Sequence, residues 1–256
     1  MKRSPAAVFN ALEILEVFVH GQEFSAAELR KRLGFPLATI YRVLHALEAM
    51  GYLRKSARTS RYCLGLRLLQ FASIAAEKMH IVEISRETLL RLREETNETI
   101  HLGVLDGVDL VFVQTLEGSQ PVRFVSRTGS RAPCYCVSSG KAILAFGGGE
   151  TVAEVSRAGF TCFTERAIAS EEELRRELDR TRRRGYAVSI DERIKGVSGV
   201  SAPVFGRNGE VVAAVGISGP TARFTKERIP LLAEAAQRSA KEVSRAMGLE
   251  LGMGAA

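Results

Sequence analysis

Two Asx-Gly dipeptides constrain the fold of this chain more than any other feature of its sequence. Asp106-Gly107 and Asn208-Gly209 lie within the strand-like stretches 99–113 and 201–217, respectively. Both dipeptides readily adopt the positive φ angles of a type I′ turn, so each stretch predicts a β-hairpin. Because helical patterns lie between and after these hairpins, the sequence predicts an α+β fold.

The helical patterns of this part of the chain have recognisable ends. Ser170 precedes Glu173 with the spacing of a capping box and predicts a charged helix that runs to Gly185. A helix without turn signals covers 66–79 and is expected to connect two domains. Further helices are predicted over 82–97 and 225–247.

The first 64 residues predict three short helices. The first helix begins after Ser4-Pro5, and the second begins at Ser25, which has Glu28 at the capping-box spacing. A Leu-Gly-Phe-Pro turn separates the second helix from the third, because the residue before a proline avoids the helical conformation. The third helix is predicted from Pro36 to Gly51. Five of its residues recur at helical spacing and are expected in the core: Ile40, Val43, Leu44, Leu47 and Met50.

The second and third helices, joined by a short turn, predict a helix-turn-helix. Residues 52–64 follow as a hairpin wing with four bases and no acid. We expect the third helix to enter the major groove of double-stranded DNA and the wing to neutralise phosphates. Arg42 is equally suited to reading a guanine and to binding a phosphate. The predicted DNA-binding residues are Ala38, Thr39, Tyr41, Arg42, His45, Arg54, Lys55, Arg58 and Arg61.

The distribution of charge supports a DNA-binding role for this segment. The whole chain has a formal net charge of +7, and residues 1–64 hold ten bases against five acids. This quarter of the chain therefore carries +5 of the total. Such a local excess favours a polyanionic partner.

Cellular location and cofactors are predicted from what the sequence lacks. No apolar run approaches the roughly 20 residues that span a bilayer, and no apolar signal segment stands at the N-terminus. We therefore expect a soluble, cytoplasmic protein. Cysteines and histidines have no metal-ligand spacing, so no metal or cofactor is predicted, and the cysteines are expected to be reduced packing thiols: Cys63, Cys134, Cys136 and Cys162.

The stretch CVSSGKAILAF, residues 136–146, has three interpretations. Ser138 lies three residues before Lys141, as in SxxK acyl-transfer enzymes, but the companion tripeptides SDN and KTG are absent. A phosphate loop is excluded, because Tyr135 and Ala142 occupy the positions of its required glycine and hydroxyl. The third interpretation is a helix N-terminus that binds a carboxylate or is merely capped by its serines. A serine hydrolase using Ser138 and Lys141 remains the alternative function.

Taken together, the motifs resemble those of the IclR-type bacterial transcription regulators over most of the chain. Each mark is weak alone, and their order and spacing carry the resemblance. The marks are Pro36, Thr39, Tyr41-Arg42, Leu44, Leu47, Gly51-Tyr52, Tyr62-Cys63-Leu64-Gly65, Glu98-Thr99, Pro133, Ser139-Gly140-Lys141-Ala142, Leu144-Ala145, Gly185-Tyr186-Ala187, Asp191-Glu192, Gly196-Val197, Ala202-Pro203-Val204, Ser218-Gly219-Pro220 and Arg223.

The resemblance implies a domain organisation and a function. It implies an N-terminal winged helix-turn-helix over 1–65, a linker helix over 66–79 and a GAF-like or profilin-like effector-binding domain over 80–250. The expected function is ligand-responsive, sequence-specific regulation of a catabolic operon, as repressor or activator, with no catalytic role. It also implies a homodimer, or a dimer of dimers, with the N-terminal and linker helices in the dimer contact.

The resemblance further implies an effector pocket lined by Tyr135, Ser138, Ser139, Ser189, Val197, Gly199, Gly216 and Ser218. Relatives that hold small oxo-acids often have Asp, Cys, Ser and His where this chain has Ser189, Gly199, Gly216 and Tyr135. Three of these four differences remove polar or reactive side chains from the wall. We therefore predict a roomier, less acidic pocket for an organic acid or aromatic metabolite larger or more apolar than glyoxylate.

Overall fold

The computed structural model describes residues 6–19, 21–77, 79–124 and 126–248 of the chain. The chain divides into two compact units, residues 1–78 and 79–256. Ser4-Pro5, predicted to precede the first helix, lies outside the described residues. Within them, no helix is both long and apolar enough to cross a membrane.

The first unit is a helical bundle with a two-stranded wing. Ser25 caps the second helix in a complete capping box with Glu28, and Gly34 ends that helix at a φ of +73°. The two wing strands pair antiparallel, and Tyr62 forms a further bridge with Phe24. The elements are α1 (Ala6–Val17), α2 (Ala26–Leu33), α3 (Leu37–Ala49), β1 (Leu53–Lys55), β2 (Tyr62–Leu64) and α4 (Arg67–Glu77).

The predicted core face of α3 is largely correct. Ile40, Val43, Leu44 and Leu47 are buried against residues of α1, α2 and the wing. Met50, however, is 64% exposed, so its predicted place in the core is wrong. The helix ends at Ala49, so Met50 lies just beyond its last turn, and Gly51 then turns the chain towards the wing at a φ of +77°.

The second unit combines antiparallel strands with helices, which confirms the predicted α+β class. Its helices are α5 (His80–Thr96), α6 (Ser138–Phe146), α7 (Gly149–Ala158), α8 (Glu171–Arg184) and α9 (Arg228–Ala246). Its strands are β3 (Thr99–Asp106), β4 (Asp109–Leu116), β5 (Arg131–Pro133), β6 (Ala187–Ile190), β7 (Val197–Phe205) and β8 (Val211–Pro220).

These strands form one antiparallel sheet in the order β5-β4-β3-β8-β7-β6. Helices α5 and α9 pack on one face of the sheet, while α6 packs on the other with α8 against it. Successive side chains of a strand point to opposite faces. Ile100, Leu102, Val200 and Ile217 thereby join the core beneath α5 and α9.

The same alternation places a different set of side chains beneath α6. These positions are small or polar where the facing ones are apolar: His101 on β3, Gly199 and Ser201 on β7, and Gly216 and Ser218 on β8. The sheet therefore has one largely apolar face and one face with a polar region. That region adjoins the beginning of α6.

Both Asx-Gly hairpins are present, but their predicted type I′ turns are wrong. Asp106 pairs with Asp109, so the two central residues are Gly107 and Val108, and only Gly107 has a positive φ, at +62°. A β-branched residue such as Val108 is strongly disfavoured at positive φ. The second hairpin has a longer loop, 206–210, that is closed by a hydrogen bond from the Gly206 amide to the Glu210 carbonyl.

The predicted capping box at α8 is only half formed. The Ser170 side chain accepts a hydrogen bond from the Glu173 amide at 3.2 Å, as expected for an N-cap. The Glu173 carboxylate instead accepts a hydrogen bond from the Ala169 amide at 2.9 Å. The helix ends at Gly185, which adopts a φ of +77°.

Candidate DNA-binding surface and effector cavity

The outward face of α3 combines small, aromatic and basic side chains. Ala38, Tyr41, Arg42 and His45 are exposed, whereas Thr39 is half-buried at the start of the helix. The Tyr41 and His45 rings lie one helical turn apart, with their centroids separated by 6.4 Å. The predicted DNA-binding residues of α3 therefore lie on the helix face away from the core residues Ile40 and Leu44, or at the edge of that face.

Three of the four wing bases are exposed. Arg58 lies at the tip of the hairpin, and Arg54 and Lys55 lie on β1. The Arg54 Nε donates to Cys63 Sγ at 3.1 Å, and the Lys55 ammonium lies 5.5 Å from the centroid of the Tyr62 ring. These contacts hold the stems of the side chains without neutralising their charges.

Arg61 differs from the other wing bases because its charge is already paired. Its guanidinium donates to both Glu28 carboxylate oxygens, at 2.5 and 2.7 Å, and its Nε donates to the Glu23 carbonyl at 3.2 Å. Hydrogen bonds from Ser25, followed by those from Arg61, lower the pKa of Glu28 to about 2. Arg61 therefore attaches the wing to the start of α2.

A cavity lies in the second unit between the polar region of the sheet and the beginning of α6. The volume of the cavity is about 60 Å³. Since a single water needs ~10–15 Å³, the cavity has room for a small organic molecule. Seven of the eight predicted effector residues line it: Ser138, Ser139, Ser189, Val197, Gly199, Gly216 and Ser218.

Tyr135 is the predicted residue that does not line this cavity. Its ring is buried against Phe160, with the ring centroids 5.0 Å apart. Its hydroxyl accepts a hydrogen bond from the Thr161 amide and donates one to the Thr161 carbonyl. These contacts direct the side chain towards the segment after α7 and away from the start of α6.

Three serine hydroxyls form a cluster on one wall of the cavity. Ser201 Oγ lies 2.7 Å from Ser138 Oγ and 2.9 Å from Ser139 Oγ. Glycines make this arrangement possible: a Cβ at Gly216 would lie 2.6 Å from Ser139 Oγ, and one at Gly199 would lie 2.8 Å from Ser138 Oγ. The cluster of Ser138, Ser139 and Ser201, termed the hydroxyl cluster below, therefore depends on the absence of side chains at both positions.

His101 forms the floor of the cavity together with two phenylalanines. It is 3% exposed, and its ring centroid lies 4.9 Å from that of Phe112 and 6.1 Å from that of Phe124. Its Nε2 is hydrogen-bonded to Ser218, and its Nδ1 lies 3.1 Å from Ser126 Oγ. Burial lowers the pKa of His101 to about 3, so the imidazole is neutral at physiological pH.

The loop 191–196 closes one side of the cavity through Arg193 and Ile194. A buried ion pair fastens this loop to α6, with Lys141 Nζ 2.5 Å from Glu192 Oε1. The Thr164 hydroxyl adds a hydrogen bond of 2.6 Å to the Asp191 carbonyl. Arg193 is thereby held at the cavity, where its guanidinium donates to the Arg131 carbonyl at 2.8 Å.

The cavity contains residues that the sequence reasoning missed. His101, Phe112, Phe124, Arg193, Ile194 and Ser201 all line it. A signal for His101 was available: it lies between Ile100 and Leu102 in an alternating strand and therefore faces away from their core. Arg193 gave no comparable signal, because its position depends on the Lys141–Glu192 pair, which joins residues far apart in the chain.

The cysteines are free thiols with different exposures. Cys134 and Cys136 are buried, Cys63 is half-buried and Cys162 is exposed. Burial raises the pKa of both Cys134 and Cys136 to about 12, so these two remain protonated and unreactive. No group of three potential ligands for a metal ion occurs within the described ranges.

The SxxK spacing does not produce a nucleophile and base pair. The Lys141 ammonium is 1% exposed and bound to Glu192, whereas the Ser138 hydroxyl is bonded to Ser201. With its ammonium on Glu192 and the Ser138 hydroxyl on Ser201, Lys141 is not placed to accept the serine proton. Lys141 therefore serves to fix the 191–196 loop on α6.

Comparison with known proteins identifies the family of both units. A family model described as the IclR helix-turn-helix domain matches residues 7–57, and one described as the bacterial transcriptional regulator IclR C-terminal domain matches residues 73–245. The chain is 30% identical over 249 residues to the HTH-type transcriptional regulator KipR of Bacillus subtilis, covering 97% of this chain and 99% of that protein.

Solved structures share the fold across nearly the whole chain. The Thermotoga maritima IclR structure is 31% identical, with a TM-score of 0.77, over 95% of this chain and 99% of that one. An IclR homolog complexed with 4-hydroxybenzoate from Microbacterium hydrocarbonoxydans is 23% identical, with a TM-score of 0.80, over 94% and 98% of the two chains.

These matches also decide between the two functions considered from the sequence. Both family models describe transcriptional regulators and not enzymes, so the hydrolase alternative is wrong. The winged helix-turn-helix and the α+β unit with its curled antiparallel sheet are the two domains expected from the resemblance. The chain belongs to the IclR family of bacterial transcriptional regulators, which bind DNA through the helix-turn-helix and carry an IclR effector domain.

Proposed function

We propose that α3 reads an operator in the major groove and that the wing contacts the flanking phosphates. The exposed residues Tyr41, Arg42 and His45 support this placement, since they form the polar face of the helix. A bidentate contact to guanine suits Arg42. Arg54, Lys55 and Arg58 supply wing charges that no carboxylate of the described residues pairs with, and Arg61 contributes less because Glu28 neutralises it.

We further propose that the regulator works as a homodimer or a dimer of dimers. Helix α1 exposes Val8, Phe9 and Leu12, each at least half exposed, and α4 exposes Leu69 and Phe71 to a similar extent. Contiguous apolar side chains that no other described element covers favour association with a second copy. Dimerisation would present two α3 helices to an operator with two half-sites.

The cavity supports an effector site in the second unit. Its aromatic floor, with Arg193 as the one charged side chain among the described lining residues, suits an organic acid or aromatic metabolite larger or more apolar than glyoxylate. The α6 N-terminus adds the amides of Ser138, Ser139 and Gly140, for which no acceptor occurs among the described residues. The 4-hydroxybenzoate complex of the Microbacterium homolog makes that acid a suitable member of a test panel.

We propose that effector binding in the second unit and operator binding in the first are thermodynamically linked. An effector changes operator affinity only if it binds the DNA-competent and DNA-free conformations unequally. We propose that the protein acts in the cytoplasm on a catabolic operon, as a repressor or an activator. The exposed basic surface of α3 and the wing is the observation that carries this proposal.

Selection of bound fragments from the source genome tests the DNA-binding proposal. The full-length protein should enrich a small set of fragments over shuffled competitor at moderate salt, and Arg42→Ala should lose this preference more than it loses affinity for random duplex if Arg42 reads a base. Enrichment of no fragment, with or without candidate effectors, would contradict the proposal. Equilibrium sedimentation of the same sample measures the oligomeric state.

A further inference from the structure

We propose that Arg193 is the residue that pairs with the carboxylate of the effector, and that the effector is a small monocarboxylate carrying a planar ring. This inference rests on the proposed effector site and assigns the charge and shape of its ligand. Arg193 was not among the residues predicted from the sequence. The argument depends on which cavity residues are charged, how they are partnered and where the aromatic rings lie.

The charge of the ligand follows from the lining of the cavity. No carboxylate belongs to the set of described residues that line it, and Arg193 and His101 are the basic members of that set. His101 is neutral, because burial lowers its pKa to about 3. Arg193 is therefore the charged side chain among these lining residues, and its charge disfavours cations and favours an anion.

Arg193 itself has unused donors. Its one hydrogen bond among the described residues is the 2.8 Å bond from a terminal nitrogen to the Arg131 carbonyl, and no ion pair with a carboxylate is found there. A guanidinium has five N–H donors and matches a carboxylate in a bidentate geometry. By contrast, the guanidinium of Arg223 in this unit donates hydrogen bonds to both carboxylate oxygens of the buried Glu98. Arg193 is the cavity residue that still lacks such a partner.

The position of Arg193 is fixed before any ligand binds. The neighbouring Glu192 is tied to Lys141, and the Asp191 carboxylate accepts hydrogen bonds from the Gly196 amide and the Thr221 hydroxyl. The loop therefore holds its shape at both ends. A preorganised donor loses less entropy when it binds an anion than a side chain on a mobile loop would.

The shape of the ligand follows from the floor of the cavity. His101, Phe112 and Phe124 supply three rings. The plane of the His101 ring is inclined by 53° to that of Phe112 and by 69° to that of Phe124. A flat ring packs against such faces in offset or edge-to-face geometry. The hydroxyl cluster lines the same cavity and offers hydrogen bonds to a polar substituent. A monocarboxylate with one planar ring matches both the rings and the hydroxyls.

Calorimetry on the full-length protein with benzoate, 4-hydroxybenzoate and 2-furoate tests this inference, with the matching amides as neutral counterparts. We expect the wild type to bind at least one acid about tenfold or more tightly than its amide, since a charge-assisted pair is lost in the amide. Arg193→Gln should remove most of this preference, and Arg193→Lys should keep part of it. Lys195→Gln is the matched control, because this cation lies on the same loop and does not line the cavity.

Three results would overturn the inference. One is an Arg193→Gln variant that binds the acids as tightly as the wild type, which would assign the carboxylate to the α6 N-terminus and leave the proposed effector site intact. Another is equal binding of acids and amides by the wild type. The third is binding of none of the three acids at about 10 mM, ten times a Kd of about 1 mM. Enrichment of operator fragments by the same samples does not depend on any of these three results. A failure of the DNA-binding proposal can therefore be told apart from a failure of the Arg193 inference.

Discussion

Lys141 and Glu192 form an ion pair in which both side chains are almost completely buried, with 1% and 11% of their surfaces exposed and Nζ 2.5 Å from Oε1. The pair joins the helix that begins at the effector cavity to the loop that carries Arg193. The second carboxylate oxygen of Glu192 has no hydrogen-bond partner among the described residues. Burial, opposed only in part by Lys141, raises the pKa of Glu192 above its ordinary value.

Replacing Lys141 with methionine should destabilise the protein in a pH-dependent way. Loss of one partner of a buried ion pair typically costs about 3–5 kcal/mol of unfolding free energy. Without Lys141, the folded-state pKa of Glu192 rises further above its value in the unfolded chain. The stability that Glu192 contributes is then fully present below the unfolded-state pKa and is lost as the pH rises through the folded-state pKa. The difference between Lys141→Met and wild type in urea unfolding should therefore grow between pH 5 and pH 8.

A matched pair of variants separates this effect from a general loss of charge. Arg175→Met removes one partner of an exposed pair with Glu171 on α8 and should leave stability nearly unchanged. The double variant Lys141→Met/Glu192→Leu should recover much of the loss, because it leaves no buried charge. A Lys141→Met variant with wild-type stability at pH 8 would contradict the proposed role of the pair.

Acid should loosen the wing through Glu28. Hydrogen bonds from Ser25 and Arg61 lower its folded-state pKa to about 2, below the unfolded value of 4.5. The stabilisation is therefore fully present above pH 4.5 and is lost as the pH falls through about 2. The protection factor for hydrogen exchange of the Tyr62 amide, which bonds to the Phe24 carbonyl, should fall in this range in the wild type.

Glu28→Gln should abolish this acid dependence, because the protection factor of the Tyr62 amide is then already lowered at pH 6. Glu23→Gln is the control, since Glu23 is exposed and contacts Arg61 through its backbone carbonyl rather than its carboxylate. If Glu28→Gln and wild type showed the same exchange profile between pH 6 and pH 2.5, the Glu28–Arg61 attachment would not support the wing.

The elements that could be predicted are those whose signals are local. Capping residues such as Ser25, apolar periodicity such as that of α3, and the Asx-Gly loops located the helices and hairpins to within a few residues. Met50 was misplaced because the periodic pattern continues past the point where the chain leaves the helix. Turn type was misjudged because strand register, which selects Gly107 and Val108 as central residues, depends on pairing and not on the dipeptide.

The cavity was predictable only where a motif marked it. Ser138 and Ser139 belong to the SGK stretch, and Gly216 and Ser218 belong to the strand that ends in SGP. Ser201 carried no motif, because its role comes from the antiparallel pairing that sets it opposite Gly216 and beneath α6. Motifs in the sequence therefore predict some residues of the site, and the others are determined by contacts between distant parts of the chain.

Gly216→Ala should destabilise the protein by disturbing the hydroxyl cluster. The added Cβ would lie 2.6 Å from Ser139 Oγ and 2.7 Å from Ser201 Oγ, closer than real Cβ contacts permit. Overpacking of this kind costs about 1–3 kcal/mol of unfolding free energy. Gly148→Ala is the control, because no atom lies within 4 Å of the position of its Cβ.

The clash explanation predicts partial rescue by a second change. Removing the Ser201 hydroxyl in Gly216→Ala/Ser201→Ala should recover part of the lost stability in thermal unfolding, although Ser201→Ala alone should be destabilising. Additive losses in the double variant would show that the two positions act independently, contrary to the contact described here.

Arg58 and Arg61 should contribute unequally to DNA affinity despite their proximity in the wing. Arg58 is exposed at the tip, whereas Arg61 is bound by Glu28 at 2.5 and 2.7 Å. Each phosphate contact adds about 0.9 to the slope of log K against log salt for duplex DNA. Arg58→Ala should therefore lower the slope for random duplex by up to about one unit, measured by fluorescence anisotropy between 50 and 200 mM salt. Arg61→Ala should change it less, and equal slope changes in the two variants would indicate that DNA displaces Glu28 from Arg61.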